Sequence, residues 1–335
     1  MKKICFIGNL SSTFVKRDHE ILSKHFKVET AEPPKKILGW VSYLVRIAKK
    51  VKKSDIVFAW FAGWHSAPGV FFSNLFGKKS VVVVGGYDCA NIPELGYGAF
   101  AKGRFLKEGM PAKYVFKHAD KILVVESSLK EDIVKNAKMS GDNIEYLPTG
   151  YDSDYWTPDG KKENIALTVG GGGTLQRIKI KGLDTFVKAA AHLPDIKFIV
   201  VGVFGDAKKY LESIASDNVE LIGFLGQDEL REYYRKAKVY CQLSIREGLP
   251  NTLCEAMLCG CVPVGTDSVP GIRAAMGDTG FYVPYGNVKA TADTIRGAFD
   301  CFGDKNLVTL PRKKIMKMFS VKKREEYLNN FVLGI

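Results

Sequence analysis

A chain of 335 residues can hold two domains, each with its own core. Hydrophobic residues at 46% and charged residues at 25% are ordinary for a globular protein and exclude a low-complexity chain. The net charge of +13 is not ordinary, and it implies an acidic partner: nucleic acid, an anionic membrane surface or an anionic substrate. The seven cysteines are odd in number and contain no C-x-x-C pair. Cys5, Cys241 and Cys261 sit in apolar runs as small core residues, and Cys259-Gly-Cys261 reads as a helix end meeting a strand rather than as a metal site. A reducing cytoplasm fits this usage. The N-terminus starts a strand at once, so no signal peptide is expected. Residues 56–72 are apolar, but Gly63, His65, Pro68 and Gly69 break them up too much for a membrane span.

In chain order, residues 3–7 read as a buried strand, 8–12 as a flexible loop containing Gly8 and Ser11, 14–26 as a helix and 26–30 as a strand. Residues 37–51 place Trp40, Val41, Leu44, Val45, Ile47, Ala48 and Val51 on one helical stripe. Seven Lys or Arg residues lie between 35 and 53 with no acid among them. Two readings stay open: a core helix with a solvated basic face, or a helix that touches an anionic membrane surface through 35–53. Strand 56–61 and helix 67–76 lead to the β-branched run 80–84, a central parallel strand ending in Gly85-Gly-Tyr-Asp88. Residues 91–110 form a glycine-bearing loop with a short helix. A helix at 113–119, a strand at 121–125, a helix at 127–138 and a strand at 143–147 follow. The polar stretch 152–163, with Pro158 and Gly160, marks the domain boundary, drawn after residue 155.

The second domain opens with strand 165–169 and a run of four glycines, 170–173, read as a turn. The basic segment 177–182 is expected to be a loop before a helix at 183–193. Strands at 196–203 and 219–222 follow, then a helix at 230–236. Residues 239–265 hold most of the information. An apolar strand at 239–243 runs into a loop with Gly248 and Pro250, a helix at 252–259 and a second strand at 261–265, a βαβ unit whose loop lies at a strand's carboxyl end. Glu247 and Glu255 frame that loop, and the N–H groups near Asn251 to Leu253 open the helix, where an anion is favoured. Thr252-Leu-Cys-Glu255 also reads as a capping box, which would confine Glu255 to the backbone. Residues 266–273 read as a loop, 280–283 as the last strand, 290–302 as a helix, and 311–335 as a terminal helix.

The segment R-E-G-L-P-N-T-L-C-E-A-M-L-C-G-C-V-P-V-G, residues 246–265, resembles the E-G-F-P-x-x-x-x-E-A-M-A-x-G-x-P-V signature of the retaining nucleotide-sugar glycosyltransferases of family 4, the glycosyl transferases group 1. A-D-K-I-L-V-V-E-S and I-E-Y-L-P-T-G-Y-D are similar to that family's last acceptor-domain strands and linker entry. The resemblance implies an α/β fold of two Rossmann-like domains facing across a cleft (GT-B). An acceptor-side domain at 1–155 and a donor-binding domain at 156–310 are expected, with 311–335 crossing back to the first. It implies that Glu247 contacts the donor sugar and Glu255 the ribose. Gly248, Leu249, Pro250, Asn251 and Thr252 would line the donor, and the backbone at Phe224 and Leu225 would meet the base. Gly8 and Ser11 would approach the diphosphate from the first domain, and Arg177 and Lys181 would neutralise it, with Lys179 an alternative to Arg177. Many members carry a His-Asp pair where this chain has Gly85-Gly-Tyr-Asp88, so Asp88 alone represents that position.

The function that follows is transfer of a sugar, with retention, from a nucleoside diphosphate such as UDP to a hydroxyl of a lipid-linked or surface glycan. The enzyme is expected to be cytoplasmic or peripheral on the inner membrane face. No cofactor and no metal are expected, and no nucleic acid partner, because no recognised module accompanies the charge. The alternatives are a GT-B epimerase acting on the nucleotide sugar itself and a non-catalytic subunit that binds it. A nicotinamide oxidoreductase is disfavoured by the missing glycine fingerprint.

Overall fold

The computed structural model describes residues 1–34 and 36–334. It divides into two compact units, Met1–Gly150 with Val321–Ile335, and Tyr151–Ser320. Alternating strands and helices leave each strand with both faces to cover. Runs such as IVFAW and KSVVVV accordingly read apolar throughout and sit in parallel sheets.

Unit 1 contains β1 (Lys3–Ile7), α1 (Thr13–His25), β2 (Lys27–Thr30), α2 (Trp40–Lys53), β3 (Ile56–Trp60), α3 (Ala67–Leu75), β4 (Lys79–Val84), α4 (Met110–His118), β5 (Lys121–Val124), α5 (Leu129–Ala137) and β6 (Ile144–Tyr146). Its six strands pair in parallel in the order β2-β1-β3-β4-β5-β6. Lys35, the first residue of the expected basic segment, lies outside the described residues. The stripe expected on α2 is divided: Ile47 and Val51 are buried with Tyr43, while Val41, Leu44 and Val45 are exposed.

Unit 2 contains β7 (Glu163–Gly172), α6 (Leu175–Lys181), α7 (Leu183–Ala190), β8 (Lys197–Val203), α8 (Gly205–Ile214), β9 (Val219–Ile222), α9 (Gln227–Lys236), β10 (Ala237–Gln242), α10 (Asn251–Leu258), β11 (Val262–Thr266), α11 (Pro270–Met276), β12 (Phe281–Val283), α12 (Val288–Asp300) and α13 (Lys305–Met318). The sheet order is β12-β11-β10-β7-β8-β9. Numbered within the unit this is 3-2-1-4-5-6 read from the β9 edge, the order of dinucleotide-binding sheets, and the strand order reverses between β7 and β10.

Three local expectations are corrected. The glycines at 170–172 continue β7 instead of turning, with a register shift between Val169 and Gly172, because Gly172 still pairs with Val203. Residues 177–181 lie in a helix, not a loop. Ile178 and Ile180 are both buried, and their two-residue spacing hides a helix in the sequence. The Thr174 side chain caps α6, and Gly182, at φ 63, ends it. Residues 270–273 open α11, with Pro270 at its first position.

The crossing points also differ from those expected at 155 and 311. The chain enters unit 2 at Tyr151 because Tyr151 and Trp156 are buried there, and Arg312 donates to the carbonyls of Ser153 and Trp156 at 2.9 and 2.7 Å. It returns to unit 1 at Val321 as α14 (Val321–Gly334). A bidentate pair fixes that helix: Arg324 Nε and Nη2 donate to Asp18 Oδ1 and Oδ2, both at 2.6 Å. Ile335 lies outside the described residues.

Candidate functional site

The site in unit 2 is assembled at the strand-order reversal. Lys181 is the last residue of α6, and Glu247 lies in the loop after β10. The Lys181 ammonium donates to Glu247 Oε1 at 2.5 Å, and each side chain is 13% exposed. Two features hold the segments at this distance. Ile245 N–H donates to the Ile180 carbonyl at 2.9 Å, and Gly182 comes so close to β10 that a Cβ there would stand 2.2 Å from the Leu243 carbonyl oxygen. A third holds the loop from its other side. A Cβ on Gly271, near the start of α11, would stand 1.5 Å from the Gly248 oxygen, so only glycine allows α11 to support the loop that carries Glu247.

Glu247 Oε1 is the hub of a buried network. Besides Lys181 it accepts from Ser244 Oγ at 2.6 Å and from Gln242 Nε2 at 2.9 Å. Gln242 Nε2 also donates to Ser244 Oγ at 2.8 Å, and its Oε1 accepts from Thr252 Oγ1 and from Tyr240 Oη, both at 3.2 Å. Among the described residues, the hydrogen bonds to this carboxylate fall on Oε1 and not Oε2. A network satisfied in this way fixes one rotamer for each member. Gln242 and Ser244 were not identified from sequence. The available signal was a polar residue closing an apolar central strand.

Arg177 stands one helical turn before Lys181 on the same face of α6. Its side chain lies over the glycine run, where a Cβ on Gly172 would stand 2.6 Å from Arg177 Cγ. Burial pushes the Lys181 pKa down. The Glu247 carboxylate pushes back, and the Arg177 charge pulls it down further. Lys179 is turned away to pair with Asp184. The structure therefore brings Arg177, Lys181 and Glu247 together, and leaves Lys179 apart.

The capping-box reading of Thr252 and Glu255 is overturned. The cap residue of α10 is Pro250, the Thr252 hydroxyl donates to Gln242, and Glu255 falls in the second turn rather than the first. Glu255 is nevertheless buried. Asn251 opens α10 with its side-chain oxygen accepting from Tyr151 Oη at 2.8 Å. Gly248, Leu249 and Pro250 form the loop between Glu247 and α10, and all three are buried. Phe224 is 88% exposed in the loop after β9, and Leu225 beside it is half-buried.

The remaining candidates belong to unit 1. Gly8 and Ser11 lie after β1, where Ser11 donates from its N–H and hydroxyl to Asn9 Oδ1 at 3.0 and 2.8 Å. Asp88 follows β4, and its carboxylate accepts from the N–H groups of Ala62 and Gly86, both at 3.0 Å. Burial raises its pKa to about 6 against the opposing pull of those amides. Among the described residues, no three His, Cys, Asp or Glu side chains cluster as a metal site would require, and no helix is long and apolar enough to cross a membrane.

Residues 166–300 match the family profile described as Glycosyl transferases group 1. Over 177 residues, 46% of each chain, the sequence is 28% identical to alpha-galactosylglucosyldiacylglycerol synthase of Streptococcus pneumoniae. It is 28% identical over 221 residues to N-acetylgalactosamine-N,N'-diacetylbacillosaminyl-diphospho-undecaprenol 4-alpha-N-acetylgalactosaminyltransferase of Campylobacter jejuni, covering 62% of this chain and 57% of that one. The matches thus span about half the length of these relatives. Among solved structures, Anabaena HepE in complex with UDP and glucose superposes with a TM-score of 0.77 at 15% identity over all of both chains. Sucrose-phosphate synthase of Thermosynechococcus elongatus gives 0.77 at 14% identity, over 100% of this chain and 99% of that one. Residues 166–300 belong to the glycosyl transferases group 1 family, and the chain has the GT-B glycosyltransferase fold.

Proposed function

We propose that the protein is a retaining glycosyltransferase that moves a sugar from a nucleoside diphosphate, UDP in the first instance, to a hydroxyl of a lipid-linked or surface glycan. The observation that carries this reading is the Arg177–Lys181–Glu247 constellation at the strand-order reversal of unit 2. Two cations on one helix face suit a diphosphate. A carboxylate with one oxygen anchored presents its other oxygen to sugar hydroxyls.

Most candidate residues have a role in this scheme. Arg177 and Lys181 take up the charge that builds on the leaving diphosphate, and preorganised charge of this kind is usually the largest catalytic term. Glu247 orients the sugar and is not a nucleophile. Glu255 binds ribose. Gly248 to Thr252 line the donor, and Phe224 and Leu225 meet the base. The C1–O bond to the phosphate breaks and the acceptor oxygen bonds C1 on the same face. The departing phosphate oxygen takes the acceptor proton. Asp88 acts on the acceptor side by holding the ends of β3 and β4. With Arg177 and Lys181 meeting the phosphate charge, the reaction is metal-independent and uses no cofactor. The relatives named for diacylglycerol and undecaprenol substrates support a lipid-linked acceptor, and with such an acceptor the proposed setting is the cytoplasmic face of a membrane, peripherally bound.

A calorimetric melting screen of nucleoside diphosphate sugars tests the reading. The matching donor should raise the melting temperature in the presence of EDTA, since a ligand at 100 times its Kd adds about 2.7 kcal/mol. No stabilisation by any member of the panel would refute the reading. Nuclear magnetic resonance of the first product should show the donor's anomeric configuration, and inversion would refute retention.

A further inference from the structure

The face of unit 1 made by α2, α3 and α4 takes no part in the site described above, yet its apolar side chains are exposed. Leu44 of α2, Pro68 and Phe71 of α3, and Met110 and Tyr114 of α4 line a groove of about 440 Å³, with Trp64 at its wall. Phe71 is 50% exposed, Met110 48% and Trp64 54%. On the other flank of α2, Arg46, Lys49, Lys50 and Lys53 line a second depression, with Glu29 as its acid. A hydrocarbon groove beside a row of cations complements one leaflet of an anionic bilayer, whose chains match the first and whose phosphates match the second.

Trp64 carries the argument further, because it also lines a separate cavity of about 390 Å³ at the carboxyl ends of β3 and β4. Parallel sheets take their ligands at strand carboxyl ends. Phe61, Tyr87 and Glu108 bound this cavity. Phe61 holds a left-handed backbone at φ 67, which a bulky side chain disfavours, and a Cβ on Gly85 would stand 2.4 Å from its ring. Tyr87 donates to Glu108, and Arg104 Nη1 donates to Tyr87 Oη at 3.0 Å and to Glu108 Oε1 at 3.1 Å. Aromatic walls with a fixed carboxylate suit a pyranose, which offers an apolar face and a rim of hydroxyls.

Resting on the transferase reading, we propose that unit 1 binds a membrane-embedded acceptor in two parts. Its hydrocarbon chain lies in the α2–α3–α4 groove, with leaflet phosphates against Arg46, Lys49 and Lys53. Its sugar end passes Trp64 into the cavity bounded by Phe61, Tyr87 and Glu108.

The test uses the full chain and phosphatidylcholine–phosphatidylglycerol vesicles with brominated acyl chains. Trp60 and Trp156 are buried, so subtracting the signal of Trp64→Phe isolates Trp64 from the half-buried Trp40. Wild type should bind with Trp64 quenched, and Phe71→Glu with Met110→Glu should weaken binding at least about tenfold, as expected for losing buried apolar area. Vesicle binding without quenching would overturn the groove assignment, as would wild-type binding by the double variant or a dimer that those substitutions dissociate. Dodecyl maltoside below its micelle threshold tests the sugar end. It should bind wild type at least about tenfold more tightly than Glu108→Ala, and equal affinity would overturn the cavity assignment. UDP-sugar binding, measured on the same samples, should be unchanged by all these substitutions. If wild type binds vesicles but no nucleotide sugar, the transferase reading fails and the lipid groove stands.

Discussion

At the scale of single residues, the site depends on short-range geometry that sequence spacing shows only in part. Lys181 was read as a cation of a basic segment before a helix and Glu247 as an acid of the loop after a strand, and the structure pairs them. Gln242 and Ser244, which anchor the same carboxylate oxygen, were not legible, because a polar residue in an apolar strand has no periodicity of its own. The Thr252–Glu255 spacing was misleading, since a proline two residues before Thr252 holds the cap position. Gly271 was also hidden. Its importance comes from a non-local approach to Gly248, so Gly271→Ala should push the Glu247 loop and reduce kcat/KM by ~10–100-fold, with a smaller change in melting temperature. Steady-state kinetics beside calorimetry checks this, and wild-type kcat/KM would remove Gly271 from its supporting role.

Asp88 supplies a pH prediction. Its folded pKa, raised to about 6, lies above the ordinary carboxylate value. The native state therefore holds the proton more tightly, and the residue's contribution to stability falls as pH rises from about 4 through about 6. Stability of wild type relative to Asp88→Asn should drop by about 2–3 kcal/mol over that interval and be flat above it. Urea titrations of both proteins check this. A pH-independent difference would contradict the raised pKa.

At the scale of elements, strands were read well because continuous β-branched runs leave little choice, as at Lys79–Val84. Short helices were read poorly. The α6 segment has apolar residues two apart, and the α11 segment has a Pro-Gly start that looks like a turn. In both, packing decides: Ile178 and Ile180 are buried, and so are Gly271 and Ile272. The terminal helix makes a stability prediction. Arg324 and Asp18 are 2% and 1% exposed, Trp60 Nε1 donates to Asp18 Oδ2 at 2.8 Å, and Arg324 Nη1 donates to the Leu147 and Pro148 carbonyls at 3.1 and 2.6 Å. Arg324→Ala strands a buried carboxylate and should cost about 3–5 kcal/mol in urea unfolding. Adding Asp18→Leu should recover only part, because the two carbonyls and the Trp60 N–H stay unpaired. A cost below about 1 kcal/mol for the single change would contradict this account of how α14 is held.

At the scale of the whole molecule, two parallel six-stranded sheets follow from the regular alternation of strands and helices along the chain. The boundaries were less legible. Residues 152–163 look like a polar linker, yet buried Tyr151 and Trp156 bind its start into unit 2. The net charge of +13 gave the sign of the partner but not its place. Among the basic groups are a flank on α2 and a half-buried pair of cations on α6. The central claim concerns the second. The most direct measurement is a calorimetric titration of UDP into wild type, Lys181→Gln and Lys179→Gln. Removing the Lys181 charge should weaken UDP binding by ~10–100-fold, the worth of a charged hydrogen bond. Removing the Lys179 charge, two residues away and paired with Asp184, should leave affinity within about twofold. Equal losses in the two variants, or no loss at Lys181, would contradict the account.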